Sequence, residues 1–256
     1  MTQFFVFKEN INGNIIKIVK DEARHLFCIL RKKVGEQIQV FDGSGGIYQV
    51  RVEKINQSVV ETKILSKISF PEPKFKLHLF PAILKNLKMD YLIQKVVELG
   101  VEEITPLITK NTVVYLNSQA SRSKVSRWQK IALNAVKQSG GARLPLINLP
   151  LDFSEAIEKL NPGQKGGINL IFWEKEKKNN LREFFSTLRS PLSTINYQLS
   201  AINLFIGPEG SFSKEEISQT KKYNFIPIGL GGHILRSETA AIVATTLVLY
   251  ECNELR

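Results

Sequence analysis

Two glycine-containing stretches near the C-terminus combine residue types that could bind a ligand or take part in a reaction. The first is GPEGS, residues 207–211, and the second is LGGHILRSETAA, residues 230–241. Gly207 and Gly210 would let the backbone approach a ligand closely and adopt positive φ. A tight strand-to-helix turn alone would explain both glycines, but it explains the Pro-Glu pair between them less well.

The second stretch predicts a turn that continues into a helix of small residues. Ser237 or Thr239 would cap this helix, and Glu238 in the first turn would interact favourably with the helix dipole. Arg236 does not fit a helix start, because a cation there is unfavourable unless it faces an anion or a reacting group. We therefore single out Arg236 as a candidate catalytic residue, while the sequence leaves the role of His233 open.

Three apolar segments near these stretches predict strands that end in polar or glycine-rich loops. They are INLIFWE (168–174), NLFIGPEG (203–210) and FIPIGLGG (225–232). In open α/β sheets, ligands bind outside the carboxyl ends of the strands. The loops that begin near Glu174, Gly207 and Leu230 are therefore the candidate site.

The preceding segments alternate between strand and helix patterns. KLHLFPAI (76–83) and EITPLI (103–108) predict strands, and LKMDYLIQKVVELG (87–100) and SRSKVSRWQKIALNAVKQSGG (121–141) predict amphipathic helices. Such alternation indicates an α/β fold with a mostly parallel sheet covered by helices.

The first 70 or so residues have a different pattern. Short strand-like segments (FFVF, IIKIV, IQVF, YQVRV and VVETKIL) surround one helical piece, DEARHLFCILR, and turn signals separate them. These features predict a small β-barrel-like module. SFPEPK then resembles a linker, so we expect two domains, 1–72 and 73–256.

The charge distribution favours a polyanionic partner. The net charge is +11, and the segment from Ile104 to Leu151 contains no Asp or Glu but seven basic residues. On the helix at 121–141, Arg127, Lys130 and Lys137 lie opposite the apolar stripe. A purely cationic face repels itself unless something anionic docks there, so we interpret this block as a nucleic-acid surface.

Other function classes lack support in the sequence. DGSGG (42–46) lies between two strands and is a hairpin turn rather than a dinucleotide motif, and no P-loop, GxSxG or HExxH is present. The three histidines are scattered, so we expect no metal. Cys28 and Cys252 are consistent with buried thiols in a reducing compartment, and we find no apolar run long enough to cross a membrane. These features predict a cytoplasmic protein.

LFIGPEGSFSKEEI followed by LGGHILRSETAA resembles the two signature loops of the SPOUT class of S-adenosylmethionine-dependent RNA methyltransferases. The resemblance is closest to the family that methylates N3 of a uridine in 16S ribosomal RNA. Three further blocks resemble that family in the expected order: ARHLFCILRKKVGEQIQVFDGSGGIY, MDYLIQKVVELGVEEITPL and RWQKIALNAVKQSG.

The resemblance implies a PUA-like RNA-binding β-barrel followed by an α/β methyltransferase domain, with helices on both faces of the sheet and a C-terminal trefoil knot. It implies S-adenosyl-L-methionine as the cofactor, 16S rRNA as the substrate (within the small ribosomal subunit), and a homodimer. The small-residue helix from Thr239 is a candidate for part of the dimer interface.

The resemblance also assigns site residues. Backbone groups of Leu230, Ile234 and Leu235 would hold the adenine of the cofactor. The full set of expected cofactor contacts is Gly207, Pro208, Glu209, Gly210, Leu230, Gly231, Ile234, Leu235 and Thr239. Arg236 would stabilise the developing anion of the base, and Glu174, Glu209 or Glu238 would extract or relay the proton. The expected RNA-binding residues are Arg31, Lys32, Lys33, Arg122, Arg127, Lys130, Lys137 and Arg143.

Several positions depart from the family pattern. His233 and Asn111 stand where the family has arginine, Ser237 stands where it has threonine, and Gly141 interrupts its QSGR motif, for which Arg143 would compensate. The usual N-terminal arginine is also missing. These departures affect expected RNA contacts more than the cofactor loops.

Two alternative functions remain open from the sequence. One is a related knotted enzyme that methylates a ribose 2′-hydroxyl or another base. The other is a non-catalytic RNA-binding factor for ribosome assembly that retains a relic cofactor pocket.

Overall fold

The computed structural model describes residues 3–56, 58–160, 167–189 and 200–255. Its contacts divide the chain into two compact units, which we describe separately. The first unit comprises Met1–Pro73 and Ala132–Leu144, and the second comprises Lys74–Ile131 and Pro145–Arg256. The sequence did not suggest that Ala132–Leu144 would join the first unit.

The first unit is built on a six-stranded sheet. Its strands are β1 (Gln3–Phe5), β2 (Ile11–Asn12), β3 (Ile15–Val19), β4 (Gln37–Phe41), β5 (Gly46–Ile55) and β6 (Val59–Ser69). They lie in the order β1-β4-β5-β6-β3-β2; β1 and β4 are parallel, and the other pairs are antiparallel. A short helix α1 (Lys20–Arg24) continues as a π-helical turn, His25–Ile29.

Alternation of side chains along the strands explains the core of this unit. On β3, Ile16 and Ile18 are fully buried while Ile15 and Lys17 are exposed, as expected for a strand with one face on a core. Gly43 supplies the positive φ (+73°) at the turn between β4 and β5. The predicted β-rich N-terminal module is therefore confirmed.

The second unit contains a six-stranded parallel sheet. Its strands are β7 (Lys76–Pro81), β8 (Glu103–Ile104), β10 (Leu146–Ile147), β12 (Gly167–Phe172), β13 (Ala201–Ile206) and β14 (Phe225–Ile228), in the order β10-β8-β7-β13-β12-β14. A separate two-stranded parallel sheet joins β9 (Leu107–Ile108) and β11 (Leu151–Asp152). The prediction of one strand over 103–108 is therefore wrong, because its two ends, β8 and β9, lie in different sheets.

Six helices accompany these strands: α2 (Leu87–Glu98), α3 (Ser118–Ser139), α4 (Phe153–Lys159), α5 (Leu181–Arg189), α6 (Lys214–Thr220) and α7 (Ser237–Glu251). The last part of α3 belongs to the first unit. The buried side chains of α2 recur at helical spacing, and Gly100 follows its end with φ +95°. The predicted helices are confirmed, whereas α4 and α5 were missed.

Both faces of the parallel sheet are buried, as the α/β pattern predicted. On one face, Phe80 and Phe205 stack with ring centroids 4.4 Å apart, and Phe153 of α4 and Phe212 pack over them. Helix α7 contacts β13 and α2. Among the described residues, no helix is long and apolar enough to span a membrane.

The order of the last three strands creates a crevice at one end of the sheet. β12 lies between β13 and β14, and Phe172, its last residue, pairs with Ile206 and Ile228, the last residues of its two neighbours. The chain therefore changes direction across the sheet between β13 and β14. Such a switch point, at the carboxyl ends of parallel strands, is where ligands bind in open α/β sheets.

Candidate active site

A cavity opens at the carboxyl ends of β12, β13 and β14. The end of β12 contributes Phe172, Trp173 and Glu174. The loop after β13 contributes Ile206, Gly207, Pro208 and Ser211, and the segment after β14 contributes Leu230, Gly231, His233, Leu235, Ser237 and Ala240. The three loops that the sequence singled out therefore meet at one cavity.

The GPEGS loop is held in a tight turn. Ser211 has φ +61°, and its N–H donates to the carbonyl of Pro208 at 2.9 Å. The Asn111 side chain donates from Nδ2 to the carbonyls of Gly210 and Ser211, both at 2.9 Å. A Cβ on Gly210 would lie 3.1 Å from Cβ of Asn111, so the glycine permits this close approach. Asn111 thus fixes the loop, a role that sequence reasoning missed.

A capping box anchors the helix that follows this loop. The Ser213 hydroxyl accepts from the Glu216 N–H at 3.2 Å, and the Glu216 carboxylate accepts from the Ser213 N–H at 2.8 Å. The other Glu216 oxygen accepts from the Lys110 N–H at 2.8 Å. The predicted capping box is confirmed, and it also fixes the chain just before Asn111.

The segment from Leu230 to Leu235 offers free backbone polar groups to the cavity. Within the described part of the chain, none of its N–H groups donates a hydrogen bond. Gly231 has φ +106°, and a Cβ on Gly229 would clash with the carbonyl oxygen of Glu176. Leu230, Gly231, His233 and Leu235 of this segment line the cavity, so backbone groups here can bond a ligand with hydrogen-bond donors and acceptors, such as a purine ring.

Arg236 stands at the junction between this wall and α7. It is the N-cap residue of the helix, with φ −63° and ψ 151°, and its side chain is exposed. The expectation that Ser237 or Thr239 caps the helix is wrong, because Ser237 is already helical and buried. The Arg236 guanidinium forms no ion pair with the described residues, so its charge remains available to a ligand.

The three candidate carboxylates differ in their surroundings. Glu209 accepts from Lys88 Nζ at 3.1 Å. Burial raises the pKa of Glu209, but its backbone hydrogen bond and Lys88 outweigh this effect, so the pKa lies below its usual range. Glu174 is exposed at the cavity wall. Glu238 has a buried Oε2 with no hydrogen-bond partner in the described structure.

Not every expected cofactor residue lines the cavity. Five do, namely Gly207, Pro208, Leu230, Gly231 and Leu235. Four are outside the lining but next to it in sequence, namely Glu209, Gly210, Ile234 and Thr239. The lining also includes Trp173, whose Nε1 is buried without a partner among the described residues.

The cationic residues divide into paired and free groups. Arg127 donates from Nε to Asp90 on α2 at 3.0 Å, and Lys137 donates to both oxygens of Glu22 at 2.8 and 2.9 Å. The premise that this helix face needs an external anion is therefore wrong, because the chain itself supplies carboxylates to two of its three cations.

The pairing extends to other expected RNA contacts. Lys32 pairs with Glu36 at 2.7 Å, and Arg143 donates to the Ser44 carbonyl at 3.0 Å. The remaining four are exposed and form no ion pair within the described ranges: Arg31, Lys33, Arg122 and Lys130.

Comparisons with known proteins agree with this architecture. An RNA methyltransferase domain family matches residues 71–249, and an RNA methyltransferase PUA domain family matches residues 19–65. Two relatives bear the name ribosomal RNA small subunit methyltransferase E. The one from Mesomycoplasma hyopneumoniae is 34% identical, covering 95% of this chain and 92% of its own length. The one from Buchnera aphidicola is 30% identical, covering 93% and 89%.

Two solved structures are similar over nearly their whole length. A methyltransferase from Legionella pneumophila, in complex with bound S-adenosylmethionine, has a TM-score of 0.81 at 28% identity, covering 97% of each chain. A ribosomal RNA small subunit methyltransferase E from Neisseria gonorrhoeae, bound to S-adenosylmethionine, has a TM-score of 0.81 at 26% identity, covering 98% of this chain and 97% of that one.

Proposed function

Because this chain belongs to the RNA methyltransferase family, we propose that it transfers a methyl group from S-adenosylmethionine to N3 of a specific uridine in 16S ribosomal RNA. The observation that carries the proposal is the cavity at the strand switch point. There, backbone N–H groups that donate no hydrogen bond within the described chain lie directly before Arg236, a cation that also forms no ion pair there.

The backbone polar groups that line the cavity are suited to binding the cofactor. Backbone groups of Leu230, Ile234 and Leu235 would bind the adenine, and Gly207 and Gly210 would allow close backbone approach. S-adenosylmethionine supplies, when bound, a methyl group on a positively charged sulfur, so no further activation of the donor is needed. The protein must then align the acceptor nitrogen and stabilise its negative charge.

Arg236 and Glu174 are the residues to which we assign these tasks. A guanidinium stays charged at all relevant pH values and can donate two hydrogen bonds to a uridine carbonyl. Glu174 would accept the N3 proton as the N3–methyl bond forms, since it lines the cavity and has no ion-pair partner in the described chain. Glu209 is less suited because Lys88 already holds it. Glu238, whose buried Oε2 has no hydrogen-bond partner in the described structure, is the alternative proton acceptor.

Substituting Glu174 tests this assignment. We expect Glu174→Gln to lower the methyl-transfer kcat by about 100-fold, because general-base catalysis contributes on this scale, while leaving cofactor affinity unchanged. Glu209→Gln is the matched control and should change kcat far less. A larger loss of kcat in Glu209→Gln than in Glu174→Gln would make Glu209 the proton acceptor.

The proposed partner is 16S rRNA within the small ribosomal subunit, which would place the protein in the cytoplasm. N3 lies on the Watson–Crick edge, so the uridine must be unpaired or flipped out of its helix. The free cations Arg31, Lys33, Arg122 and Lys130 would contact phosphates. We also propose a homodimer through α7 and a trefoil knot at the C-terminal loops, both on the basis of family resemblance.

Comparing rRNA from cells with and without this protein tests the function. Nucleoside mass spectrometry should show N3-methyluridine in the small-subunit rRNA only when the protein is present. Loss of a 2′-O-methylated nucleoside instead would support the related enzyme. If no nucleoside changes and calorimetry detects no binding of S-adenosylmethionine, the non-catalytic factor is favoured.

A further inference from the structure

The loop between β9 and α3 exposes apolar side chains just beyond Asn111, which is hydrogen-bonded to the GPEGS loop. Tyr115 is 91% exposed and Val113 is 66% exposed. A tyrosine so fully in water gains nothing from packing within its own chain. Single exposed apolar side chains are common, so a ligand for Tyr115 is indicated by what the residue is connected to and by the charge around it.

The base of this loop is fixed to the active site. Asn111, four residues before Tyr115, is hydrogen-bonded to the GPEGS loop at Gly210 and Ser211. Thr109 and Thr112 brace the turn, with Thr112 Oγ1 accepting from the Thr109 N–H at 2.9 Å and the Thr112 N–H donating to the Thr109 carbonyl at 3.0 Å. Tyr115 therefore lies four residues after Asn111, which is hydrogen-bonded to a loop that lines the cofactor cavity.

The positively charged residues that follow Tyr115 favour an anionic partner. The Asn117 side chain caps α3 by accepting from the Ala120 N–H at 2.8 Å, and exposed Arg122 and Lys130 follow on the helix. No Asp or Glu occurs between Ile104 and Leu151. An aromatic side chain followed by unpaired cations is the combination that binds single-stranded nucleic acid, with bases stacked on rings and phosphates held by cations.

We propose that Tyr115 stacks against a nucleobase of single-stranded RNA beside the target uridine, while Arg122 holds a neighbouring phosphate. The inference rests on the proposed function, which it deepens by assigning a subsite for the flanking nucleotide. A second copy of this chain is a poorer occupant, because two identical cationic segments would repel each other. Apolar side chains exposed on α7, Leu247 and Tyr250, provide a separate surface for such a contact.

The experiment measures binding of a fluorescein-labelled oligouridylate by anisotropy over a range of salt concentrations. We expect Tyr115→Ala to raise Kd about tenfold at every salt concentration, since stacking is lost but no phosphate contact is. Tyr115→Phe keeps the ring and should bind like the wild type. Arg122→Gln should instead reduce the slope of log K against log salt. Leu146→Ala, which removes an exposed apolar side chain elsewhere in the unit, is the control and should bind normally.

The outcomes separate this subsite from the proposed function. Oligouridylate binding that is equal for wild type and Tyr115→Ala overturns the subsite, even if the wild type methylates rRNA. A Tyr115-dependent affinity in a protein that methylates no rRNA supports the subsite and rejects the function. A drop in sedimentation mass for Tyr115→Ala at unchanged RNA affinity would assign the loop to a second copy and overturn the proposal.

Discussion

Arg236 lies between two chemically different segments of the chain. Before it, the N–H groups of Leu230 to Leu235 donate no hydrogen bond within the described chain. After it, α7 begins with Ser237 buried and the Glu238 carboxylate half-buried. An arginine at an N-cap gives no capping hydrogen bond and opposes the helix dipole. Its position is therefore better explained by a ligand than by helix stability.

Replacing Arg236 tests this explanation directly. We expect Arg236→Ala to bind S-adenosylmethionine normally by calorimetry but to lose about 100- to 1,000-fold in kcat, the usual cost of removing one preorganised donor to a developing anion. Arg236→Lys keeps the positive charge but lacks the paired donors of the planar guanidinium, and it should retain part of the activity. Near-normal turnover of the alanine variant would remove Arg236 from the mechanism.

A row of polar residues crosses four neighbouring strands of the parallel sheet. Glu103 on β8, His78 on β7, Asn203 on β13 and Asn169 on β12 pair at the same level of the parallel sheet. His78 contacts the Thr105 hydroxyl at 2.8 Å. Burial lowers the pKa of His78 to about 4, and the nearby Glu103 carboxylate only partly opposes this effect.

This lowered pKa makes the stability of the second unit depend on pH. Because the unfolded chain binds the His78 proton near pH 6.5 and the folded chain only near pH 4, stability is full above pH 6.5 and falls as pH decreases toward 4. Between pH 7.5 and pH 5 we expect a loss of about 2 kcal/mol from this group. Urea unfolding followed by tryptophan fluorescence reports this unit, since Trp128 and Trp173 both belong to it.

Two histidine variants separate the contribution of His78 to the pH dependence of stability from that of other titrating groups. His78→Asn should lose less stability than the wild type over this pH range, whereas His233→Asn, at an exposed position, should behave like the wild type. An unchanged pH dependence in His78→Asn would show that other groups control it.

Helix α3 carries both structural and free cations, so charge reversal should not act uniformly along it. Reversing Arg122 and Lys130, which have no ion-pair partners in the described structure, should flatten the dependence of RNA affinity on salt by about one unit of slope per charge. Arg127 is partnered by Asp90, so Arg127→Glu should chiefly destabilise the α2–α3 contact. Filter-binding titrations over several salt concentrations check this. A larger slope change from Arg127 than from Arg122 and Lys130 would contradict it.

The two compact units of the molecule are not consecutive in sequence. Ala132–Leu144 belongs to the first unit, where the Leu144 N–H donates to the Gly43 carbonyl at 2.9 Å and the Gly45 N–H donates to the Ala142 carbonyl at 3.0 Å. Lys137 adds its ion pair with Glu22, in which both side chains are largely buried. The first unit is therefore incomplete without a segment from the middle of the chain.

Removing residues 1–73 should therefore affect more than the N-terminal sheet. In a fragment of residues 74–256, we expect the amides of Ala132–Leu144 to lose protection from hydrogen exchange while those of β12, β13 and β14 keep it, because only the former lose the unit in which they pack. Equal protection of Ala132–Leu144 in the fragment and the full chain would show that this segment is ordered without the first unit.

Local sequence patterns were enough to predict most strands and helices and the loops that form the cavity. Period-two alternation on β3 and helical spacing on α2 follow from which side of each element is buried. Helices α4 and α5 were missed because they have only seven and nine residues, too few for a clear period. The capping box of Ser213 and Glu216 was predictable because its contacts are three residues apart.

Periodicity and motifs contiguous in the chain were enough to predict the β-rich N-terminal module, the parallel sheet and the family. They did not predict that Ala132–Leu144 joins the first unit, nor which cations of the described residues lack an ion-pair partner. Asp90 and Glu22 neutralise Arg127 and Lys137 from 37 and 115 residues away, and Asn111 braces a loop 99 residues downstream. Such contacts depend on how distant segments meet in the fold, and spacing along one chain carries no record of them.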